Sequence, residues 1–178
     1  MRLQLGKVLL TKEQIQERVE ELGARISEDY GDDPPIFVNV LKGGVIFLAD
    51  LVRATMIPCE IDFMEVSSYG NNTESSGVVR ILEDLSLSIT DRHVLIVEDI
   101  VDTGLTLHYI IENLETRHPK SIRICTLLDR RGRREVDLEL DYVGFVVPDK
   151  FVIGYGLDLA QKYRNLPYIA VLEDEEIP

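Results

Sequence analysis

Hydrophobic positions in the first part of the chain follow a helical period. A capping-box sequence at 11–14 precedes four apolar residues spaced by four, three and four positions on one helical face: Ile15, Val19, Leu22 and Ile26. This pattern predicts a helix of about 17 residues.

Beyond this helix, short apolar runs alternate with helical spacing. The predicted strands are 36–40, 58–67, 78–82, 93–98, 121–128, 142–147 and 151–153, and the predicted helices between them are 45–55 and 105–117. Alternation of this kind predicts an α/β fold with a mostly parallel central sheet flanked by helices. Ligands of such sheets bind beyond the carboxyl ends of the strands, so we expect the chemistry at that edge.

Length and charge limit the classes of protein that fit. The 178 residues predict a single domain, 1–178, and a net charge of −13 argues against nonspecific binding to nucleic acid or to an anionic membrane. No apolar stretch approaches the roughly 18 residues of a membrane span, and no basic segment followed by an apolar one stands at the N-terminus. We therefore expect a cytoplasmic protein.

Residues 94–106 carry the most chemical information. The apolar run 94–97 predicts a strand buried on both faces, and Glu98 and Asp99 follow at its carboxyl end. Residues 102–106 then combine two threonines and a glycine with the start of a helical pattern, which is how a backbone nest for a phosphate is built at a helix N-terminus. The order predicts carboxylates for a cation one turn away from amides for an anion.

Residues 68–77 are rich in glycine, asparagine and serine and lack a hydrophobic period. A loop of this length inside a compact domain is usually a functional lid. We expect this loop, which begins with Ser68 and Tyr69, to close over a bound substrate and to exclude water.

These features resemble the type I phosphoribosyltransferases, and residues 94–106 are similar to that family's signature for binding phosphoribosyl pyrophosphate (PRPP). Three further stretches resemble the hypoxanthine-guanine phosphoribosyltransferases within the family: 41–44, 67–70, and 148–158 continuing to Tyr163 and Arg164. They span nearly the whole chain. The resemblance implies the family fold, in which the N- and C-terminal segments form a small hood over the sheet.

The resemblance assigns the PRPP site to residues 98–106. It implies that Glu98 and Asp99 face the ribose hydroxyls and the Mg²⁺ ion that bridges them to the pyrophosphate, and Mg²⁺ does prefer one or two carboxylates plus substrate oxygens. It implies that Asp102 is the catalytic base near N7 of the purine. The residues implied to bind the 5′-phosphate are Asp102, Thr103, Gly104, Leu105 and Thr106.

Each of these assignments has an alternative that rests on residue type alone. A pair of acids at a strand end is also typical of a solvated edge, and an aspartate before a helix is typical of an N-cap. The sequence leaves both alternatives open for Glu98, Asp99 and Asp102.

The residues implied to bind pyrophosphate are Lys42, Gly43 and Arg164. Because type I enzymes commonly have a non-proline cis peptide bond in this loop, we expect one between Leu41 and Lys42. Residue type alone offers other interpretations, since a lysine before two glycines is typical of an exposed turn and an arginine near the C-terminus of a solvated charge.

The residues implied to bind the purine are Arg130, Phe151, Val152 and Asp158. Phe151 would stack on the base, although a single phenylalanine is also typical of a core. The backbone of Val152 would accept from N–H groups of the base. Asp158 would serve as a metal ligand, for a second Mg²⁺ or its waters.

Arg130 departs from the family pattern, which usually has a lysine that donates to the 6-oxo group of the purine. An arginine fork can donate to O6 and N7 together, so a preference for 6-oxopurines is compatible with it. Arg131 is an alternative for this role, and a further alternative is that 129–134 form a basic surface loop paired with nearby acids.

The resemblance implies a purine salvage enzyme with Mg²⁺ as cofactor. The reaction transfers the 5-phosphoribosyl group from PRPP to hypoxanthine or guanine and gives IMP or GMP plus pyrophosphate. Family members are typically dimers or tetramers, so we expect a homodimer or homotetramer. One alternative is a xanthine-preferring phosphoribosyltransferase. The other, suggested by the basic stretch 129–135, is an RNA-binding regulator of a pyrimidine operon with uracil phosphoribosyltransferase activity.

Overall fold

A computed structural model of the chain describes residues 6–68 and 79–172. Its strands are β1 (Val8–Leu10), β2 (Ile36–Leu41), β3 (Glu60–Ser68), β4 (Val79–Glu83), β5 (His93–Val101), β6 (Ser121–Asp129), β7 (Tyr142–Val146), β8 (Val152–Ile153) and β9 (Ile169–Val171). Its α-helices are α1 (Lys12–Tyr30), α2 (Val45–Ala54) and α3 (Leu105–Glu115). None of these helices is long and apolar enough to cross a membrane.

The central sheet has six strands in the order β4-β3-β2-β5-β6-β7. Every neighbouring pair is parallel except β3 and β4. Helices α2 and α3 each connect two adjacent parallel strands, as short crossover connections do. The prediction of an α/β fold with a mostly parallel sheet is therefore confirmed.

Side chains of the central strands point alternately to two separate hydrophobic layers. Phe37 and Leu95 pack with α1 and α2 on one face, and Val38 and Ile96 pack with α3 on the other. Because β2 and β5 are buried on both faces, their sequences are almost continuously apolar. This explains why the strands are visible in the sequence although they do not alternate with polar residues.

Helix α1 begins at the capping box that the sequence predicts. The Thr11 hydroxyl accepts a hydrogen bond from the Gln14 amide at 3.3 Å, and the Gln14 side chain accepts from the Thr11 amide at 2.9 Å. This reciprocal pair satisfies two amides that lack helical partners. The predicted capping box is confirmed.

A second, smaller sheet covers one end of the molecule. Strands β1 and β8 pair antiparallel with β9 on either side. Ile153, Ala170 and Leu172 form its small core. This sheet is the hood, built from segments near both ends of the chain, that the resemblance implied.

Strand β5 is longer than its sequence pattern predicted. Its pairing with β6 continues as far as Val101 and Asp129, whereas its pairing with β2 ends at Asn39 and Val97. The prediction that the strand ends at Glu98 is wrong, because the hydrogen bonds of β6 hold the backbone extended for three more residues. Glu98 and Asp99 therefore lie on a stretch of strand with one open side.

Most other boundaries differ from the predicted ranges by one or two residues, and the short hood strands β1 and β9 were not predicted. Helix α3 ends at Glu115 rather than at residue 117, because the amides of Arg117 and His118 turn back to carbonyls three residues earlier and His118 adopts a φ of 53°. The predicted loop 68–77 begins at Ser68, the last residue of β3, and Tyr69 with the rest of that loop lies outside the described residues.

Candidate active site

The carboxyl edge of the central sheet opens into a cavity of about 250 Å³. Seven of the predicted site residues line it: Gly43, Glu98, Asp99, Asp102, Thr103, Gly104 and Thr106. Leu105 does not. Two cavities of about 660 and 670 Å³ are larger, but neither is lined by the two acids or by the threonine turn. The small cavity is the candidate site because the predicted chemistry converges there.

Glu98 and Asp99 are acids in a position that disfavours negative charge. Burial, with the charge of Asp99 as a smaller cause, raises the pKa of Glu98 well above its usual value. Burial also raises the pKa of Asp99 to about 6, although the Ile100 amide, which donates to Oδ1 at 2.8 Å, and the positive charge of Arg164 oppose this shift. The raised pKa values distinguish this pair from acids at a solvated strand edge. A nearby cation would favour the ionised form of both carboxylates.

The loop after β2 packs directly against Asp99. A Cβ atom at Gly43 would lie 1.9 Å from Asp99 Oδ2, so any side chain at position 43 would displace this carboxylate. The peptide bond between Leu41 and Lys42 is cis, as the resemblance implied. Lys42 itself is exposed. The predicted pyrophosphate loop and the predicted metal ligand are therefore neighbours.

Asn39 was not singled out from the sequence, yet it supports this junction. It is fully buried, and its amide nitrogen donates to the Val97 carbonyl at 2.7 Å, at the point where β2 and β5 separate. Gly44 lies against the same side chain, because a Cβ there would be 2.2 Å from Asn39 Nδ2. The sequence feature that could have identified Asn39 is a single asparagine inside an otherwise apolar strand.

Residues 102–104 form the turn between β5 and α3. Gly104 is the N-cap of α3 and has a φ of 83°, a backbone region that glycine adopts without strain. The alternative that Asp102 caps this helix is therefore wrong. The Thr103 hydroxyl accepts from the Leu105 amide at 3.4 Å, and the turn presents Thr103 and Thr106 to the cavity.

Asp102 is held by Arg130. Arg130 Nη1 donates to Asp102 Oδ2 at 3.1 Å, and Arg130 Nη2 donates to the Lys150 carbonyl at 2.7 Å. The guanidinium is 8% exposed, so this contact is not a solvated surface pair. Asp102 Oδ1 is buried and has no hydrogen-bond partner within the described part of the chain, and the same holds for Arg130 Nε. One carboxylate oxygen is thus fixed and the other remains available as an acceptor.

The remaining arginines of the basic stretch pair with acids. Arg131 and Arg134 both contact the carboxylate of Asp129, and Arg133 contacts Asp149. The alternative of a basic loop paired with nearby acids therefore describes these three arginines, but it does not describe the buried Arg130. Asp129 and Arg134 are contacts that the sequence analysis did not identify.

Arg164 and Asp158 come from the segment between β8 and β9 and lie beside the Gly43 loop, although neither lines the small cavity and Arg164 lines the cavity of about 660 Å³ instead. They form an ion pair of 2.9 Å, and Arg164 Nη1 donates to the Gly156 carbonyl at 2.7 Å. Gly156, with a φ of 101°, lies so close to the first loop that a Cβ would be 2.1 Å from the Gly43 carbonyl. The charges of Arg164 and Asp158 both act on Asp99. Arg164 is therefore not simply a solvated charge.

Phe151 and Val152 lie at the start of the hood. Phe151 packs against the hood core and remains partly exposed. Its carbonyl accepts from the Leu172 amide at 2.9 Å, and hydrogen-bonded and non-hydrogen-bonded pairs alternate in an antiparallel ladder. Val152, which pairs with Val171, therefore directs its own N–H and C=O away from β9 and out of the sheet edge.

Comparison with known proteins agrees with this arrangement. The family model for the phosphoribosyl transferase domain matches residues 7–160. A hypoxanthine-guanine phosphoribosyltransferase of Bacillus subtilis is 52% identical over 173 residues, which are 97% of this chain and 96% of that protein. One from Mycobacterium avium is 52% identical over 175 residues, covering 95% of this chain and 86% of that protein.

Solved structures give the same result. The crystal structure of a hypoxanthine phosphoribosyltransferase from Staphylococcus aureus superposes with a TM-score of 0.93 at 50% identity, covering 96% of this chain and 93% of that one. Fold, site and sequence therefore agree that the chain belongs to the phosphoribosyltransferase family and, within it, to the hypoxanthine-guanine phosphoribosyltransferases.

Proposed function

We propose that this protein is a purine salvage enzyme that uses Mg²⁺ to transfer the 5-phosphoribosyl group of PRPP to hypoxanthine or guanine, giving IMP or GMP and pyrophosphate. One observation carries the proposal. The half-buried acids Glu98 and Asp99 and the turn residues Asp102, Thr103, Gly104 and Thr106 line the same cavity. A ligand that joins a metal-bound pyrophosphate and ribose to a terminal phosphate would occupy both parts.

The acid pair fits Mg²⁺. Both carboxylates have raised pKa values, so each ionised form lacks sufficient positive charge around it. Mg²⁺ in phosphate sites takes one or two carboxylates and completes its shell with water and substrate oxygens. When bound, it would neutralise the charge that pyrophosphate gains on leaving. Asp158, which pairs with Arg164, is the proposed ligand of a second ion or of its waters.

Two loops divide the phosphates of PRPP between them. Amides and hydroxyls of residues 103–106 would bind the 5′-phosphate, because the N-terminus of α3 adds a positive partial charge there. Lys42, Gly43 and Arg164 would bind the pyrophosphate. The contact of Gly43 with both Asp99 and Gly156 keeps these groups on one side of the acid pair.

Asp102 is the proposed proton acceptor. In the reaction, N9 of the purine forms a bond to C1′ of the ribose, the bond from C1′ to the pyrophosphate oxygen breaks, and the proton on N7 passes to a base. Asp102 Oδ1 is suited to accept it, because it is buried and Oδ2 is fixed by Arg130. The same carboxylate would stabilise positive charge on the ribose while the bond breaks.

The purine would lie between Arg130 and the hood. Phe151 would stack on its face, and the backbone of Val152, which points out of the edge strand, would bind its edge. Three N–H groups of the Arg130 guanidinium remain after its contacts with Asp102 and Lys150. These are the proposed donors to the 6-oxo group.

The lid, the assembly and the location complete the proposal. Residues 68–77, including Ser68 and Tyr69, would close over the bound substrates and protect the reacting ribose from water. We propose a homodimer or homotetramer in the cytoplasm. The relatives that match 97% and 95% of the chain are named as hypoxanthine-guanine phosphoribosyltransferases, which does not favour the RNA-binding regulator.

A competition assay tests the proposed activity directly. Hypoxanthine, guanine, xanthine, adenine and uracil are offered together with PRPP and Mg²⁺, and the monophosphate products are separated and quantified. We expect IMP and GMP to dominate, because Arg130 has donors for a 6-oxo group. XMP as the main product would replace the proposal with the xanthine-preferring alternative, and UMP as the main product would contradict it.

The substitution Arg130→Gln tests how the purine is bound. We expect the KM for hypoxanthine to rise about tenfold, since one hydrogen bond to a charged group contributes about 1.5 kcal/mol, while the KM for PRPP changes less than threefold. Arg131→Gln is the matched control, because Arg131 is 70% exposed and contacts only Asp129 among the described acids. If the control variant lost purine affinity instead, Arg131 would be the purine ligand.

A further inference from the structure

We infer that Arg134 and the buried Asp129 are positioning residues that aim the backbone amides of the 102–104 turn at the 5′-phosphate. The inference rests on the proposed function, since it explains how the proposed 5′-phosphate turn is held in position. Neither residue lines the cavity. Both act through the turn: Arg134 contacts it directly, and Asp129 acts by holding Arg134.

The first contact fixes the carbonyl of Asp102. Arg134 Nε donates to this oxygen at 3.2 Å, and Arg134 Nη2 donates to Asp129 Oδ1 at 2.7 Å. Asp129 is the last residue of β6, and its side chain is 3% exposed. The carboxylate therefore anchors the guanidinium to the rigid sheet, and the guanidinium in turn holds the turn.

The second contact fixes the next carbonyl. The Glu135 amide donates to the Thr103 carbonyl at 2.9 Å. Two consecutive carbonyls of the turn, those of Asp102 and Thr103, thus point to the segment that Arg134 begins. This arrangement sets the orientation of both peptide groups, because each carbonyl is held at its oxygen.

The orientation of the carbonyls determines that of the amides. In a trans peptide the C=O and the following N–H point in opposite directions, and the cis bond in the described residues is elsewhere, between Leu41 and Lys42. With both carbonyls directed to 134–135, the N–H groups of Thr103 and Gly104 point the other way. Thr103 and Gly104 line the cavity, so the amides are directed to where the 5′-phosphate would lie.

Packing around Gly104 supports the same orientation of the 102–104 turn. A Cβ atom at Gly104 would lie 2.7 Å from Leu138, 3.0 Å from Val136 and 3.1 Å from Arg134 Cδ. Residues 134–138 therefore pack against the turn on the side away from the proposed phosphate position. The positive φ of Gly104 and this packing together explain why a glycine occupies the position.

A matched pair of variants isolates the effect of Arg134. Arg131 and Arg134 each place one nitrogen 2.7 Å from an Asp129 oxygen. Only Arg134 of the two donates to a carbonyl of the turn. Arg134→Gln removes the guanidinium that joins Asp129 to the turn. Arg131→Gln removes an ion pair with the same carboxylate and leaves the contacts of the turn in place.

The readout is the contribution of the 5′-phosphate to binding. Calorimetry gives the dissociation constants of GMP and of guanosine, which lacks the phosphate, and of pyrophosphate with Mg²⁺. We expect Arg134→Gln to reduce the ratio of the guanosine constant to the GMP constant about tenfold, and to change the constant for pyrophosphate less than twofold. Arg131→Gln should leave the ratio unchanged, and Arg134→Lys, which keeps the charge but cannot span both acceptors, should reduce it.

Three outcomes would overturn the inference. They are an unchanged ratio in Arg134→Gln, an equal decrease in Arg131→Gln, and an equal loss of pyrophosphate affinity, which would indicate general disruption of the site. If Arg134→Gln does not fold, as judged by its thermal unfolding, Arg134→Lys decides the question by the same ratio. Wild-type protein that binds GMP no better than guanosine would instead contradict the proposed function itself.

Discussion

Replacing Asp102 by asparagine is expected to lower kcat for IMP formation by about 10²–10³-fold, within the range of about 10²–10⁴-fold that general base catalysis commonly contributes. The amide keeps the size of the side chain but cannot take the N7 proton or balance positive charge on the ribose. The dissociation constant of PRPP with Mg²⁺ should change less than about threefold, because the turn amides and the acid pair remain. Single-turnover kinetics and calorimetry measure the two quantities separately.

The choice of asparagine follows from the contact with Arg130. Both Asp102→Asn and Asp102→Ala remove the negative charge beside Arg130, whose side chain is 8% exposed, but only asparagine keeps an oxygen that can accept from Nη1. Alanine would leave that buried donor without an acceptor as well as without a counter-charge, and loss of a buried ion-pair partner can destabilise a protein by about 3–5 kcal/mol. A loss of activity in the alanine variant would therefore mix chemistry with folding. An asparagine variant with unchanged kcat would exclude Asp102 as the proton acceptor.

Replacing Asp99 by asparagine is expected to weaken substrate binding strongly and yet to stabilise the metal-free protein. The variant loses one of the two proposed Mg²⁺ ligands, so we expect the affinity for PRPP with Mg²⁺ to fall by at least about tenfold to 100-fold, as loss of metal-site contacts commonly does. The stability change has the opposite sign. Burial raises the pKa of Asp99 from 3.8 to about 6, so ionisation above that pH destabilises the folded state.

The pH dependence follows from this sign. A carboxyl group with a raised pKa in the folded state binds its proton more tightly there, so stability is lost as the pH rises from about 4 through 6. One pKa unit corresponds to about 1.4 kcal/mol and the pKa of Asp99 rises from 3.8 to about 6, so Asp99→Asn should raise the free energy of unfolding by about 3 kcal/mol at pH 8 and hardly change it at pH 4. Urea unfolding in the presence of a chelator measures both values.

Asp33 provides a control of opposite sign. It forms an exposed ion pair with Lys120, and the hydrogen bond from that lysine lowers the pKa of Asp33. Asp33→Asn should therefore slightly destabilise the protein at pH 8. If Asp99→Asn also lowered stability at pH 8, the acid pair would not be the strained cation site that the structure indicates. Such a site exchanges stability for function.

The sequence predicted features that depend on local interactions. Helix α1 begins at its capping box because residues three apart satisfy each other's amides. The run 98–106 was identified because its acids, threonines and glycine are consecutive, so the backbone places them together whatever surrounds them. The lysine loop and the tail from Phe151 to Arg164 were found by resemblance, and the structure brings Arg164 to Asp99 although they are far apart in the chain.

Other features depended on partners that the pattern does not name. The length of β5 was underestimated because β6 extends it. The alternative of a basic surface loop does not describe the whole stretch 129–134, because Arg130 is buried against Asp102. Of the other arginines, Arg131 and Arg134 share Asp129, and Arg133 pairs with Asp149. The sequence shows five positively and negatively charged side chains close together, but it does not show which charges meet.

The sequence by itself determined the order of the helices and of the central strands, the hydrophobic surface that each buries and the local run of residues proposed to bind a sugar phosphate, because these depend on period, caps and neighbours in the chain. Tertiary structure alone decided which carbonyls of the turn Arg134 and Glu135 hold, and how strongly burial raises the pKa values of Glu98 and Asp99. Those properties depend on distances between segments and on exclusion of water, and both are set only when the sheet, the hood and the loops have come together.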